Sequence, residues 1–234
     1  MYSGKKILGL IPARGGSKGI PMKNIKLLND KPLIFYTYDS VKESKLLTRT
    51  IVSTDNKRIK KICENLGMDI PFLRPSYLAK DDTPTYPVVF HALEMLEKMD
   101  EYYDIVCLLQ PTVPFRNNNL IDSAIKLFIK RGTDSLFSVR TVPHYYNPHW
   151  VYKEDKNNLL TISTGEKKII SRRQDLPKAF IRDGAIYLIK TSIIKNQNSL
   201  YGNSISYIEH TPEKYINLDI LSDWKDAEMI MRTG

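Results

Sequence analysis

The sequence predicts an α/β fold in which helices wrap a parallel sheet. Short apolar runs alternate with segments of helical period, and this alternation is typical of parallel strands joined by crossover helices. The chain has 234 residues, which suits one sizeable domain, since single α/β domains commonly reach about 200 to 250 residues. We therefore expect residues 1–234 to share one core, with one appendage.

Apolar runs bounded by turn residues or charges predict the strands of this sheet. They are residues 6–11, 50–53, 70–73, 105–109 and 135–139, and a regular pattern returns at 184–189. The first half of the chain therefore alternates strand and helix.

Apolar stripes at helical spacing predict three helices between these strands and one near the end of the chain. The stripes are Ile59, Ile62, Cys63, Leu66; Val89, Leu93, Leu96; Leu120, Ala124, Leu127, Phe128; and Trp224, Ala227, Ile230. Asn56 and Ser222 are the expected N-caps of the first and last helix, and Gly67 and Gly132 follow the ends of the first and third. We expect all four stripes to face the core.

The regular pattern breaks between residues 140 and 180. This stretch begins TVPHYYNPHWVYKEDKNN and continues polar and basic, without evident helices or long strands. An irregular segment inside a regular α/β domain is usually a substrate-facing insertion or an arm that reaches a partner chain. Both interpretations stay open on the residues alone.

The charge of the chain favours anionic ligands. Lys and Arg number 35 against 26 Asp and Glu, a formal net charge of +9, which suits nucleotides, acidic metabolites, nucleic acid or a membrane surface. The basic residues are spread along the chain without an aromatic-interleaved stripe, so nucleic acid is disfavoured.

No apolar run reaches signal-peptide or membrane-span length, and Cys63 and Cys107 sit in apolar patterns without metal-ligand spacing. We expect a cytoplasmic protein with no membrane contact.

The segment IPARGGSKGIPMKN, residues 11–24, directly follows the first predicted strand, where parallel sheets bind their ligands. Its glycines do not form Gly-x-Gly-x-x-Gly, and Lys18 is not followed by Ser or Thr as in a P-loop. Glycines let backbone N–H groups approach oxygens, while Arg14, Lys18 and Lys23 neutralise negative charge. The segment therefore predicts a triphosphate cradle; the alternative is a flexible surface turn with solvated bases.

Three further stretches follow predicted strand ends: IVSTD at 51–55, LRPSYLAKD at 73–81 and LLQPTVPFR at 108–116. Together with the glycine segment, they closely resemble the acylneuraminate cytidylyltransferases, also called CMP-sialic acid synthetases, over nearly the whole chain. The resemblance implies a three-layer, Rossmann-like nucleotidyltransferase domain with a mixed, mostly parallel sheet, and makes 140–180 an inserted dimerisation arm of a homodimer.

The resemblance also implies a reaction. Enzymes of this family couple CTP to the anomeric hydroxyl of a nine-carbon 2-keto acid sugar, with Mg²⁺, and release pyrophosphate for surface glycan biosynthesis. The implied catalytic residues are Arg14, Lys18, Lys23 and Asp219. The implied nucleotide contacts are Arg14, Ser17, Lys18, Lys23 and Asn24 around the phosphates and nucleotide, then Arg74, Thr83 and Thr85 at cytosine and ribose. Gln110 is implied at the sugar.

Other polar residues are given smaller roles. Asp55 is expected to be structural, as a turn or helix cap, rather than catalytic. His91 is expected to pack or lie at the surface, and His144, His149 and His210 form no metal spacing.

The chain departs from the family pattern in two places. The usual metal-binding Asp-x-Asp reads Asn217-Leu-Asp219 here, and because Mg²⁺ often takes only one or two protein carboxylates, Asp219 suffices if Asn217 adds a neutral oxygen. At the second, Ile181 stands where an arginine is expected and Asp183 where an asparagine is expected. This departure favours a relative of sialic acid, such as legionaminic or pseudaminic acid, or a different keto acid as the sugar. Arg172, Arg173 and Arg182 are the candidates for its carboxylate.

Rival interpretations remain at this stage. The same fold serves 3-deoxy-octulosonate and sugar-phosphate acceptors, and the Asn217 change permits a nucleotide-binding regulator without catalysis. The arm is alternatively a substrate lid on a monomer.

Overall fold

The structure is a computed structural model that describes residues 1–232. Two compact units are present: Met1–Ser138 with the chain from Asp183 onward, and Val139–Arg182.

Ten strands are present in the described part of the chain. In order they are β1 (Ile7–Pro12), β2 (Leu27–Leu28), β3 (Lys31–Pro32), β4 (Arg49–Ser53), β5 (Ile105–Leu108), β6 (Ser135–Thr141), β7 (Tyr152–Glu154), β8 (Leu160–Ile162), β9 (Phe180–Lys190) and β10 (Ile205–Glu209). Six of them form the central sheet in the order β10-β6-β9-β5-β1-β4. β1 pairs in parallel with β4 and β5, while β9 runs antiparallel to β5. The mixed, mostly parallel sheet is confirmed.

Six α-helices accompany these strands within residues 1–232: α1 (Leu33–Glu43), α2 (Lys57–Asn65), α3 (Thr85–Glu97), α4 (Leu120–Arg131), α5 (Thr191–Gln197) and α6 (Leu221–Arg232). The predicted start of α2 is confirmed, because the Asn56 side chain accepts hydrogen bonds from the backbone N–H groups of Arg58 and Ile59. Gly132 ends α4 with φ of 66°, a left-handed conformation that glycine adopts without strain.

The three-layer arrangement follows from the alternation of side chains along β1. Ile7 and Ile11 belong to an apolar cluster shared with α2 and α4, whereas Leu8 and Leu10 belong to a second cluster shared with α3 and α5. Successive side chains of a strand point to opposite faces of the sheet, so the helices cover both faces.

A third apolar cluster anchors the last part of the chain. Leu218, Trp224 and Ala227 pack there with Ile20 and Leu28. This packing places the chain before α6 beside the glycine segment.

Two sequence predictions were wrong. Residues 70–73 are not a strand, because only isolated bridges, Ile51 to Asp69 and Thr54 to Leu73, join this segment to the end of β4. Ser222 is not the N-cap of α6, which already begins at Leu221; instead, the Asp223 carboxylate accepts from the backbone N–H groups of Asp219 and Ile220. The sequence also gave no bounds for α1, α5 and β10.

The second unit, Val139–Arg182, holds the short hairpin of β7 and β8 and three 3₁₀ turns. Its large exposed side chains include Tyr145, Tyr146, Leu159 and Leu160. Among residues 1–232, no helix combines the length and apolar character that crossing a membrane requires.

Candidate active site

The ends of three parallel strands meet at one edge of the sheet. Ala13 N donates to Ser53 O at 2.9 Å and Leu109 N donates to Leu10 O at 2.9 Å, so the chain segments that leave β1, β4 and β5 start side by side. A cleft of about 340 Å³ opens at this edge. Its lining includes Arg14, Ser17, Lys23, Asn24, Arg74, Thr83, Thr85, Gln110, Asn217 and Asp219. Lys18 lines an open groove that shares Arg14, Ser17, Lys23 and Asp219 with the cleft.

Two glycines of the segment after β1 are needed for close packing. Gly15 N donates to the Asp55 carboxylate at 2.9 Å, and a Cβ at Gly15 would lie 2.6 Å from the Asn56 side chain, the N-cap of α2. A Cβ at Gly19 would lie 2.1 Å from the Asp219 carbonyl oxygen. Neither glycine has a left-handed φ. The glycines therefore let the loop pass close to two other segments of the chain.

Asp81 holds two of the predicted phosphate-binding cations. Arg14 Nη2 lies 2.9 Å and Lys18 Nζ 3.5 Å from its carboxylate oxygens, and Arg14 also donates to Lys80 O. The Lys18 side chain is 84% exposed, so solvent screens its charge strongly. Sequence analysis gave Asp81 no role, although it ends the 73–81 motif.

Lys23 connects the glycine segment to Asp219. Its Nζ donates to Leu218 O at 2.6 Å and to Asp219 Oδ1 at 3.3 Å, while its side chain is only 12% exposed. Asn217 Nδ2 donates to Asp219 Oδ2 at 3.1 Å. Leu218 is fully buried and its N–H donates to Thr112 O, so Asn217 and Asp219 are held on either side of an anchored residue.

Arg74 is a buried cation whose donors are mostly unused. It is 4% exposed, and neither Nε nor Nη2 has a hydrogen-bond partner within residues 1–232. Burial lowers the pKa of Arg74, while Asp55, 3.8 Å from Nη2, opposes this shift. Buried polar groups are normally hydrogen-bonded. The unbonded donors of Arg74 on the cleft wall therefore indicate a place where a ligand atom could accept hydrogen bonds.

The remaining predicted nucleotide residues also lie on the cleft wall. Asn24 is buried and donates to Arg14 O at 3.0 Å, so it fixes the loop backbone. Thr85 is the first residue of α3, where free backbone N–H groups and the helix dipole favour negative charge.

Gln110 follows β5 and faces Gly184 of β9. Gly184 has φ of 83°, and a Cβ there would lie 3.1 Å from Gln110 Oε1. Arg116 supports the same place, because its guanidinium donates to Gln110 O at 2.6 Å and to Ala185 O at 3.0 Å. The sequence motif at 108–116 contained Arg116 but gave no sign of these long-range contacts.

A buried, hydrogen-bonded Asp–His pair lies behind this wall and was not predicted. The side chains of Asp183 and His210 are both 0% exposed, and Asp183 bonds His210 Nδ1 and accepts from Ser138 Oγ. Burial raises the pKa of Asp183, but the hydrogen bonds from His210 and Ser138 outweigh burial and lower it overall. The pair joins β9 to the end of β10, two segments with no local spacing signal between them.

The remaining predicted residues fall into two groups. Arg172, Arg173 and Arg182 belong to the second unit, where Arg172 pairs with Asp175. His91 packs edge-on against Phe72, as expected for a packing role. Cys63 and Cys107 are buried, and burial raises the pKa of both thiols.

Comparison with known proteins shows one family. Residues 8–220 match the family described as Cytidylyltransferase. The chain is 30% identical over 229 residues to a pseudaminic acid cytidylyltransferase of Campylobacter jejuni, covering 98% of this chain and 97% of that protein. It is 33% identical over 234 residues to a CMP-N,N'-diacetyllegionaminic acid synthase of Legionella pneumophila, covering 97% and 96%.

The fold is also shared with solved structures. A CMP:2-keto-3-deoxy-manno-octonic acid synthetase complexed with CTP superposes with a TM-score of 0.73 at 15% identity, over 97% of this chain and 99% of that one.

Proposed function

Since the chain belongs to the cytidylyltransferase family, we propose that it couples CTP to the anomeric hydroxyl of a nine-carbon 2-keto acid sugar, giving a CMP-sugar and pyrophosphate. The observation that carries the proposal is the cleft itself. Arg14, Lys23 and the buried Arg74 converge there beside Asp219, at the edge where parallel sheets bind ligands.

The triphosphate lies along the glycine segment. Arg14, Lys18 and Lys23 neutralise its charge, with Ser17 and Asn24 beside it. Asp81 now pairs with Arg14 and Lys18, and an incoming phosphate competes with it for both cations. Arg74, Thr83 and Thr85 line the same cleft and hold cytosine and ribose.

The reaction needs positioning and charge neutralisation rather than a covalent nucleophile. The sugar hydroxyl releases its proton to solvent as its oxygen attacks the α-phosphorus in line. The bond between the α-phosphorus and the oxygen that bridges to the β-phosphorus breaks, and pyrophosphate leaves with that oxygen. The negative charge that develops on the leaving group is stabilised by Arg14, Lys18 and Lys23. Lys23 is the best placed of the three, because hydrogen bonds to Leu218 O and Asp219 fix its ammonium.

Asp219 and Asn217 fit a magnesium ion. They offer one carboxylate and one amide oxygen on the cleft wall, and Mg²⁺ often uses one or two protein carboxylates with water and phosphate oxygens. No group of three or more His, Cys, Asp or Glu side chains within residues 1–232 is arranged for a metal. A Mg²⁺ ion held by Asp219 and Asn217 would therefore also take water and phosphate oxygens, and it would supply polarisation of the phosphoryl oxygens. The Lys23 contact orients the Asp219 carboxylate.

The acceptor end of the cleft is assigned to Gln110, and the sugar carboxylate to an arginine among Arg172, Arg173 and Arg182. We favour legionaminic acid, pseudaminic acid or sialic acid as the acceptor, because relatives that match almost the whole chain are named for each of the three. A 3-deoxy-octulosonate acceptor is the second candidate, and its only support is a shared fold.

Residues 140–180 are proposed as the dimerisation arm of a homodimer that works in the cytoplasm. Exposed Tyr145 and Tyr146, 63% and 68% exposed, are the kind of side chain that interface cores use. A sedimentation measurement that gives only a 27.0 kDa species at micromolar concentration would contradict the dimer.

The test of the function is pyrophosphate release. Purified protein is mixed with CTP and Mg²⁺, and pseudaminic, legionaminic, sialic and 3-deoxy-octulosonic acids are added one at a time. We expect release with a nine-carbon acid; release with the eight-carbon acid alone would favour the second candidate. CTP binding with no release across the panel would contradict the catalytic assignment and favour a regulator.

A further inference from the structure

Arg116 forms a clamp behind the acceptor end of the cleft. Its guanidinium makes three hydrogen bonds: to Gln110 O at 2.6 Å, to Ala185 O at 3.0 Å and to Thr37 Oγ1 at 2.8 Å. One planar group therefore ties the end of β5 to β9 and to α1. The fixed fork of the guanidinium makes this geometry specific to arginine.

Both backbone polar groups of Ala185 are held by side chains. Arg116 Nε bonds the carbonyl of Ala185, and the buried Asp183 carboxylate accepts the Ala185 N–H at 3.0 Å. Gly184, which is tightly packed against the Gln110 side chain, is thereby fixed in its left-handed conformation. Gln110 has its own carbonyl fixed by the same arginine.

Arg116 has no carboxylate hydrogen-bond partner within residues 1–232, so its contacts are with carbonyl and hydroxyl oxygens. Burial lowers the pKa of Arg116 to about 10, with the charge of Asp183 among the opposing effects. The residue therefore stays protonated at neutral pH. Each of its three nitrogens makes one hydrogen bond behind Gln110, and Arg116 does not line the cleft.

We propose that Arg116 is a positioning residue that sets Gln110 and Gly184 for the acceptor, and so determines acceptor affinity without touching substrate. This proposal rests on the assignment of Gln110 to the sugar. CTP contacts come from Arg14, Lys23 and Arg74 on other segments, so CTP affinity is expected to be independent of Arg116.

The test compares R116K and R116M with T37V. R116M removes the clamp, and R116K keeps the charge without the fork. T37V removes the third contact and destabilises the fully buried Thr37 site, but leaves both carbonyl bonds in place. Misplacement of a binding group by about 1 Å costs on the order of 100-fold, so we expect both Arg116 variants to raise the acceptor KM by about ten- to 100-fold with CTP KM unchanged. T37V should lower Tm and leave acceptor KM unchanged.

Three results would overturn the proposal. A wild-type acceptor KM in R116K would mean that the charge alone acts. Equal changes in acceptor KM and CTP KM in the Arg116 variants would mean that Arg116 only supports the core. A rise of the acceptor KM in T37V in proportion to its drop in Tm would mean the same. If R116M does not fold, the acceptor KM of R116K alone tests the proposal.

A second measurement separates this proposal from the proposed function. Hydrogen exchange of residues 109–114 reports the Gln110 turn directly, since Gln110 O also accepts from Val113 N. We expect faster exchange there in R116K and not in T37V. If no acid supports turnover by the wild type, the proposed function is wrong. If hydrogen exchange of residues 109–114 is the same in R116K as in the wild type, the clamp is wrong, whatever the outcome for turnover.

Discussion

Replacing Gly19 with alanine should disable the cleft while leaving the fold intact. The added Cβ would lie 2.1 Å from the Asp219 carbonyl oxygen, whereas real Cβ atoms essentially never come within 3.0 Å of another heavy atom. The obstacle is backbone, which cannot rotate away as a flexible side chain can. The loop and the Asp219 segment must therefore separate by about 1 Å, a displacement that costs on the order of 100-fold in rate when it moves a catalytic group.

The matched control is Gly16→Ala in the same loop. Its Cβ would meet nothing closer than Ala79 O at 3.9 Å, and neither glycine has a left-handed φ that would strain alanine. Pyrophosphate release at saturating CTP and acceptor is measured for both variants, with Tm as the check on folding. We expect G19A to lose about 100-fold, or about 2.7 kcal/mol of transition-state stabilisation, and to need more Mg²⁺, while G16A stays within about threefold of the wild type.

Equal activity in G19A and G16A would refute the reasoning. It would mean that the Asp219 segment tolerates the displacement, and that its contact with the loop does not set the geometry of the site. A large drop in Tm for G19A but not for G16A would instead mean that the loss of activity comes from impaired folding.

Four further predictions follow from contacts described above. D219A should abolish pyrophosphate release at every Mg²⁺ concentration, and an unchanged rate would remove Asp219 from the metal site. R74M should weaken CTP binding, measured by calorimetry, by about tenfold, because it removes open donors from the cleft wall, and it should lower Tm, because Asp55 loses its ion-pair partner; unchanged CTP affinity would remove Arg74 from the nucleotide site. The Cys63 thiol, whose pKa burial raises to about 12, should resist iodoacetamide at pH 8 until the protein is unfolded; alkylation of the folded protein would contradict its burial. The folded pKa of Asp183 is lowered, so its contribution to stability is present above the unfolded pKa of about 3.9 and is lost as pH falls below it. Urea unfolding of D183N should therefore show a smaller loss of unfolding free energy in acid than the wild type. If the unfolding free energies of both proteins fall equally with pH, the Asp183 carboxylate does not contribute this stability.

The sequence was informative where a signal was local. The helix stripes, the Asn56 cap and Gly132 depend on residues within a few positions of one another, and all three are present in the structure. The glycine segment was placed correctly because its position after β1 decides which edge of the sheet it occupies. Gly15 and Gly19 are also required by neighbouring segments, a second reason for glycine that the local sequence does not show.

The sequence failed where the decisive contact was distant. Residues 70–73 look like a strand by composition, but the chain there meets β4 only at single bridges. The helix α1 was not delimited because its aromatic residues Phe35, Tyr36 and Tyr38 blur the apolar stripe. Arg116 and the Asp183–His210 pair bring together segments far apart in the chain, and no spacing rule reports such a pairing.

The contact between the glycine segment and Asp219 has a consequence for synthesis of the chain. Lys23 and Leu218 are 195 positions apart, yet a hydrogen bond joins them beside the cleft. Because chains emerge from the ribosome in order, the glycine segment exists long before the Asp219 segment does. The nascent protein should therefore fold most of its sheet while still unable to react, and acquire a complete site only when the segment before α6 docks.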